Sequence, residues 1–297
     1  WFSSYHTYSE ILMWFNQLAK ENPNHVKLVP SIGKSFEGRD IFAVHLTNPN
    51  NVEKKQVWFQ SLIHAREWIT GTTTQFIFSE LLANRQSDLI KNILDKTEVV
   101  FIPIVNPDGY TYTRVDRLTR KNRHLINGGD GVDLNRNFPA QWGGPGASKN
   151  PNSQTYLGPY AASEPETQAL MGYFKGLTNV VGAIDFHSYS ELLLRPFSHN
   201  ETDTPDEVVL KKLGDKMVKA IEKVSGKKYS NIKEVELYPC SGSASDFYYG
   251  DGSKLASFAF ELSPGSKASN GFIVPPSQIL EVAKDVMPGV LQFLEFV

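Results

Sequence analysis

With one cysteine in 297 residues, Cys240, the chain can form no internal disulfide, so its stability must rest on packing or a bound group. Net charge is also nearly absent. Thirty basic against 32 acidic side chains leave −2, too little to draw the chain to nucleic acid or an anionic membrane. No apolar run approaches the roughly 18–20 residues needed to cross a bilayer. No internal repeat or low-complexity linker divides the chain. It opens on Trp1 with no signal-peptide pattern, so we expect a processed or trimmed product. A sequon at Asn200-Glu201-Thr202 hints at secretion. What the chain does have is apolar content of 40%, enough for a large core.

That content falls in short, β-branched runs: Val57–Ile63, Val99–Val105, Val180–Phe186 and Ser257–Leu262. They are continuous rather than alternating, as in strands covered on both faces. Helical patterns lie between them. In TPDEVVLKKLGDKMVKAIEKVSG, Thr204 is the expected N-cap, Pro205 the first helical residue and Gly226 the terminator. Two more helices are expected over Ser9–Lys20 and from Ser277 to the C-terminus. The expected fold is therefore α/β: one domain, with a central mixed, mostly parallel β-sheet and helices on both faces. The Gly-, Pro- and Asn-rich stretch from Asn127 to Gly158 reads as an ordered surface excursion.

Polar residues follow each strand run: His64 and Glu67; Asn106-Pro107-Asp108-Gly109; His187-Ser188-Tyr189; and Glu261 within SFAFEL. Ligand sites in open α/β sheets form beyond the carboxyl ends of strands, so these residues converge if the strands are parallel neighbours. Two histidines and a glutamate are a known catalytic zinc set with an open position. Taken alone, an H-x-x-E turn is equally explained by ordinary hydrogen bonding. Glu261 among apolar neighbours fits either a general base or a structural ion pair. The basic run RVDRLTRKNR alone reads as a solvated loop.

The motifs HAREW, NPDGY, DLNRNF, HSY and FEL, in this order, resemble those of zinc metallocarboxypeptidases of the carboxypeptidase A/B subfamily. The resemblance spans residues 1–297 as a catalytic domain without its propeptide. It implies one Zn²⁺ held by His64, Glu67 and His187, with Asp133 orienting His64 and Glu261 as general base. Arg117 takes the role of stabilising the oxyanion, and Arg66 and Arg120 serve outlying subsites. Asn135 and Arg136 resemble the clamp for the substrate's terminal carboxylate, and Tyr238 the tyrosine that closes over the terminal residue. Tyr189 and Phe272 resemble walls of the groove.

In the same register, Ser245 occupies the position that is bulky and aliphatic in A-type enzymes and an aspartate in B-type enzymes. Cys240, Ser243, Leu194, Ser198 and Ala259 complete that pocket, with either Ile232 or Lys233 on its wall. The absence of an aspartate favours A-like or relaxed specificity. Lys233 pointing inward would admit Gln or Glu, and Glu191 and Arg195 are near enough in sequence to leave a Lys/Arg preference open. The implied partners are peptide and protein C-termini, a propeptide and proteinaceous inhibitors, for a secreted monomer that binds neither nucleic acid nor membrane. A zinc-free binding protein, or an amidohydrolase acting on acyl-amino acids or tubulin tails, are the competing readings.

Overall fold

The computed structural model describes residues 1–126, 128–251 and 256–297. Asn127, at the start of the excursion, lies outside them, as do residues 252–255. The strands are β1 (Val26–Lys34), β2 (Asp40–Leu46), β3 (Lys55–Ser61), β4 (Thr97–Ile102), β5 (Val180–Ser188), β6 (Leu192–Arg195), β7 (Ser230–Lys233) and β8 (Ala256–Leu262). They form one sheet in the order β1-β2-β4-β3-β5-β8-β6-β7. The central β4-β3-β5-β8 pairs are parallel, whereas β1-β2, β2-β4 and β6-β8 are antiparallel. The mixed sheet is thus parallel where the expected strand runs lie.

The helices are α1 (Tyr8–Glu21), α2 (Trp68–Ala83), α3 (Asp88–Leu94), α4 (Pro107–Tyr112), α5 (Pro165–Gly176), α6 (Glu207–Ser225), α7 (Glu234–Leu237), α8 (Ala244–Asp251) and α9 (Ile279–Phe296). Side chains on successive strand residues point to opposite faces, which builds two cores. Phe59, Phe186 and Phe260 pack with residues of α1, α2, α6 and α9. Trp58 and Ala183 pack on the other face with Leu170 and Phe174 of α5 and Tyr248 of α8. By the same alternation Asp185, His187, Ala259 and Glu261 lie on the α5/α8 side.

Helix α1 is closed by a capping box between Thr7 and Glu10. Helix α6 begins two residues later than expected. Asp206 is its N-cap, because Thr204 accepts from the Glu207 amide in a preceding turn. Gly226 ends it in the left-handed conformation, as expected. Helix α2 carries no apolar stripe: Ile69 through Phe78 are all buried. A helix buried on every side loses the periodicity that reveals it in sequence.

Candidate active site

His64 and Glu67 lie in the turn between β3 and α2, and His187 lies near the end of β5, one strand over. His64 Nδ1 is 2.9 Å from Glu67 Oε1 and 3.2 Å from His187 Nδ1, and His187 Nδ1 is 3.3 Å from Glu67 Oε2. All three side chains are buried. The outer nitrogen of each ring faces a carboxylate: His64 Nε2 lies 3.2 Å from Asp133 and His187 Nε2 2.9 Å from Asp185. A proton on each Nε2 leaves both Nδ1 lone pairs aimed inward with the Glu67 carboxylate, the donor set of a catalytic zinc. Among the described residues this is the one cluster of His, Cys, Asp or Glu side chains close enough to share an ion.

Asp185 escaped the sequence reading. The signal was present, since residues two apart on a strand share a face.

Burial alone would lower the pKa of His187, but Asp185 and Glu67 raise it well above its ordinary value. Without metal, then, His187 carries a proton near neutrality. Zinc binding is expected to expel it, so affinity should rise with pH by about one decade per unit while that proton is held. Competition against a chelator from about pH 6 to about pH 8 measures this, and a flat profile would show the ring already neutral.

A cleft of about 280 Å³ opens onto these ligands. His64, Glu67, Arg66, Arg120, Tyr189, Tyr238, Phe272 and Glu261 line it. Glu261 pairs in register with His187 across β5 and β8. Its carboxylate accepts no hydrogen bond and forms no ion pair among the described residues, which removes the structural ion-pair reading. Burial raises its pKa to about 8, against the lowering effect of His187. Tyr189 meets Phe272 edge-on, the Arg66 guanidinium lies 4.1 Å from the Phe272 ring, and half-exposed Tyr238 stands at the rim.

The two arginines exchange places relative to expectation. Arg117 stacks on Trp68 at 3.8 Å and donates to the carbonyls of Arg66 and Phe272, so its guanidinium is spent on the loops around the cleft. Arg120 is the buried one. Its Nε and Nη2 both donate to Asp133 Oδ2, at 3.0 and 2.9 Å, and its Nη1 stands 3.3 Å from His64 Nδ1. Arg120, not Arg117, therefore faces the metal ligands. The basic run is solvated only in its first half, where Arg114, Val115, Asp116 and Leu118 are exposed; Arg120, Lys121 and Asn122 are buried, with the Lys121 ammonium anchored to the Pro151 and Ser153 carbonyls. Of the four strand ends, β4 contributes support only: Asn106 caps α4 and donates to the Ile63 carbonyl behind His64.

Asp133 also accepts from the Asn135 amide at 3.0 Å, starting the 3-10 turn Leu134–Arg136. Asn135 Oδ1 accepts from the Ala244 amide, and its NH₂ group has no partner among the described residues. Arg136 is buried, held by the Gly146 and Asn135 carbonyls. Gly242, at φ +73°, passes so close that a Cβ there would meet the Arg136 carbonyl oxygen at 2.3 Å. Only glycine fits that approach.

The zinc carboxypeptidase family profile matches residues 11–289. The chain belongs to the zinc carboxypeptidase family. It is 36% identical over 99% of its length to zinc carboxypeptidase A 1 of Anopheles gambiae, covering 68% of that protein. It is 35% identical to carboxypeptidase A2 of Rattus norvegicus over its full length, covering 71% of that relative. Bovine thrombin-activatable fibrinolysis inhibitor, solved with a tick carboxypeptidase inhibitor, superposes with a TM-score of 0.91 at 30% identity, over 99% of this chain and 98% of that one. As a zinc metallocarboxypeptidase the chain is a hydrolase whose cofactor is one zinc ion, and the His64–Glu67–His187 set fits that ion.

The residues expected for the terminal side-chain pocket, Leu194, Ser198, Cys240, Ser243, Ser245 and Ala259, are all almost fully enclosed. Leu194 pairs in register with Ala259 on one side and Ile232 on the other, which sets Ile232 beside the two expected pocket residues. Lys233 turns outward to Asp203 and the Glu201 carbonyl. Arg195 pairs with Glu207 at 2.9 Å, and Glu191 accepts from Ser263 Oγ at 2.9 Å, which draws both away from the pocket.

Proposed function

We propose that this enzyme cleaves the C-terminal peptide bond of peptides and proteins, with Arg136 and Asn135 receiving the terminal carboxylate and Glu261 transferring the proton. The observation that carries the reading is the Glu261 carboxylate, without a hydrogen-bond or ion-pair partner among the described residues and set beside His187 in the cleft. A guanidinium matches a carboxylate bidentately, and anchoring there places only the last peptide bond over the ligand cluster. Glu261 takes a proton from the attacking water and delivers it to the amine nitrogen as the C–N bond breaks. Arg120 donates to the carbonyl oxygen as negative charge builds there, replacing Arg117 in that role. Asp133 holds both Arg120 and His64 in place. Zinc, when bound, supplies Lewis-acid polarisation of the carbonyl and activation of the water. Arg66, Arg117, Tyr189 and Phe272 border the path of the upstream peptide, and Tyr238 covers the terminal residue.

Ser245 in place of a bulky or acidic side chain leaves depth for a long terminal residue, so the A-like or relaxed preference expected from sequence rests on shape alone. Secretion, a monomeric state, release from a propeptide and capture by proteinaceous inhibitors belong to the same proposal. Support comes from the family and, for inhibitors, from the complex formed by the bovine relative.

Arg136→Ala tests the clamp. Against paired substrates ending in a free carboxylate or an amide, the variant should lose most of the wild-type preference for the free acid, at about 2–4 kcal/mol for one charge-assisted pair. If it still rejects the amides as strongly as wild type, the clamp lies elsewhere.

A further inference from the structure

Glu234 opens α7, immediately after the strand that sets Ile232 beside Leu194. It is only 8% exposed. Its Oε2 accepts from Ser245 Oγ at 2.5 Å, and Ser245 in turn reaches Ser243 Oγ at 3.3 Å. The carboxylate therefore sits on the residue that the family register places in the terminal-residue pocket. Its influence extends to Cys240 and Glu261, whose acid forms it favours.

The neighbouring acid is differently placed. Asp246 accepts from the Ser198 amide at 2.9 Å, Ser198 Oγ at 2.7 Å and His199 Nδ1 at 2.8 Å. Glu234 has the single donor, Ser245, and no ion pair among the described residues. Lys233 is paired with Asp203 and Arg195 with Glu207, while Arg136, hydrogen-bonded to the Gly146 and Asn135 carbonyls, and His187 lower the Glu234 pKa without forming an ion pair with it. A carboxylate enclosed without a directly paired cation is unfavourable until one joins it. Burial and Asp246 accordingly push its pKa up to about 7.

We infer that Glu234 makes this enzyme select basic terminal residues, its carboxylate and the Ser245 hydroxyl receiving the ammonium or guanidinium group of a C-terminal lysine or arginine. The inference rests on the exopeptidase reading above and reverses the side-chain preference expected from Ser245 alone. The acid comes from α7, not from α8, which carries Ser245.

The test is kcat/KM for blocked dipeptides ending in Arg, Lys, Gln, Phe or Leu, with zinc-loaded wild type, Glu234→Gln and Glu234→Asp. Wild type should take Arg and Lys ahead of Phe and Leu by at least about tenfold. In Glu234→Gln the Arg-to-Phe ratio should fall on the order of 100-fold, with Glu234→Asp between the two. The inference is overturned if wild type prefers Phe or Leu, a result that needs no variant to fold, or if the ratio is unchanged in Glu234→Gln. Failure of the exopeptidase reading would look different: no wild-type release from any of the five.

Discussion

Glu261→Ala is expected to keep its zinc and lose turnover by about 10³–10⁴-fold, near the upper end for a general acid–base residue. Retained metal is expected because Glu261 is not among the ligating set: His64, Glu67 and His187 hold their mutual distances without it, and Asp133 and Asp185 orient the rings from behind. Lost turnover is expected because, among the described residues lining the cleft, the one other carboxylate is Glu67. Glu67 is committed to both histidines, and its pKa is driven far below the usual range by His64 and His187 despite burial. Measuring kcat alongside zinc content separates the two effects. Near-normal kcat in a zinc-replete variant would take Glu261 out of the mechanism, whereas loss of zinc would make it a structural residue.

The second large effect distinguishes two arginines three residues apart. Arg120→Ala should cost about 10²–10³-fold in kcat, the range for removing one preorganised oxyanion donor. Arg117→Ala on the same blocked dipeptide should leave kcat within about fivefold of wild type, because its guanidinium is bound to the Arg66 and Phe272 carbonyls and does not line the cleft. Its loss should instead raise KM for longer peptides, whose upstream residues meet those loops. Arg120→Ala also strips Asp133 of two hydrogen bonds, so zinc content has to be followed there. Arg120→Lys keeps the charge but not the fork, and should recover metal before it recovers rate. An Arg117→Ala kcat as low as that of Arg120→Ala would restore the role expected from the motif.

Much of this enzyme was legible in its sequence because the chemistry sits where the chain pattern changes. Buried parallel strands read as continuous β-branched runs, and the residues ending three of them, His64, His187 and Glu261, stand out as polar groups in apolar company. Short spacing did the rest: one turn carries His64 and Glu67, and another carries Asp133, Asn135 and Arg136. Helix α2 was not legible, since burial on every side erases its stripe. The fourth strand end misled, because Asn106 has the same character as the others yet caps a helix.

Residue order by itself therefore determined the family, the candidate metal-binding set and a mixed sheet, because each is carried by residue type and by patterns that are local in the chain. Tertiary structure alone decided which arginine faces the metal ligands, which carboxylate stands behind His187, that Lys233 turns outward, and that Glu234 meets Ser245. These depend on side-chain direction and on contacts between elements distant in the chain. R-L-T-R-K lists two candidate arginines, and the direction each side chain leaves its loop chooses between them.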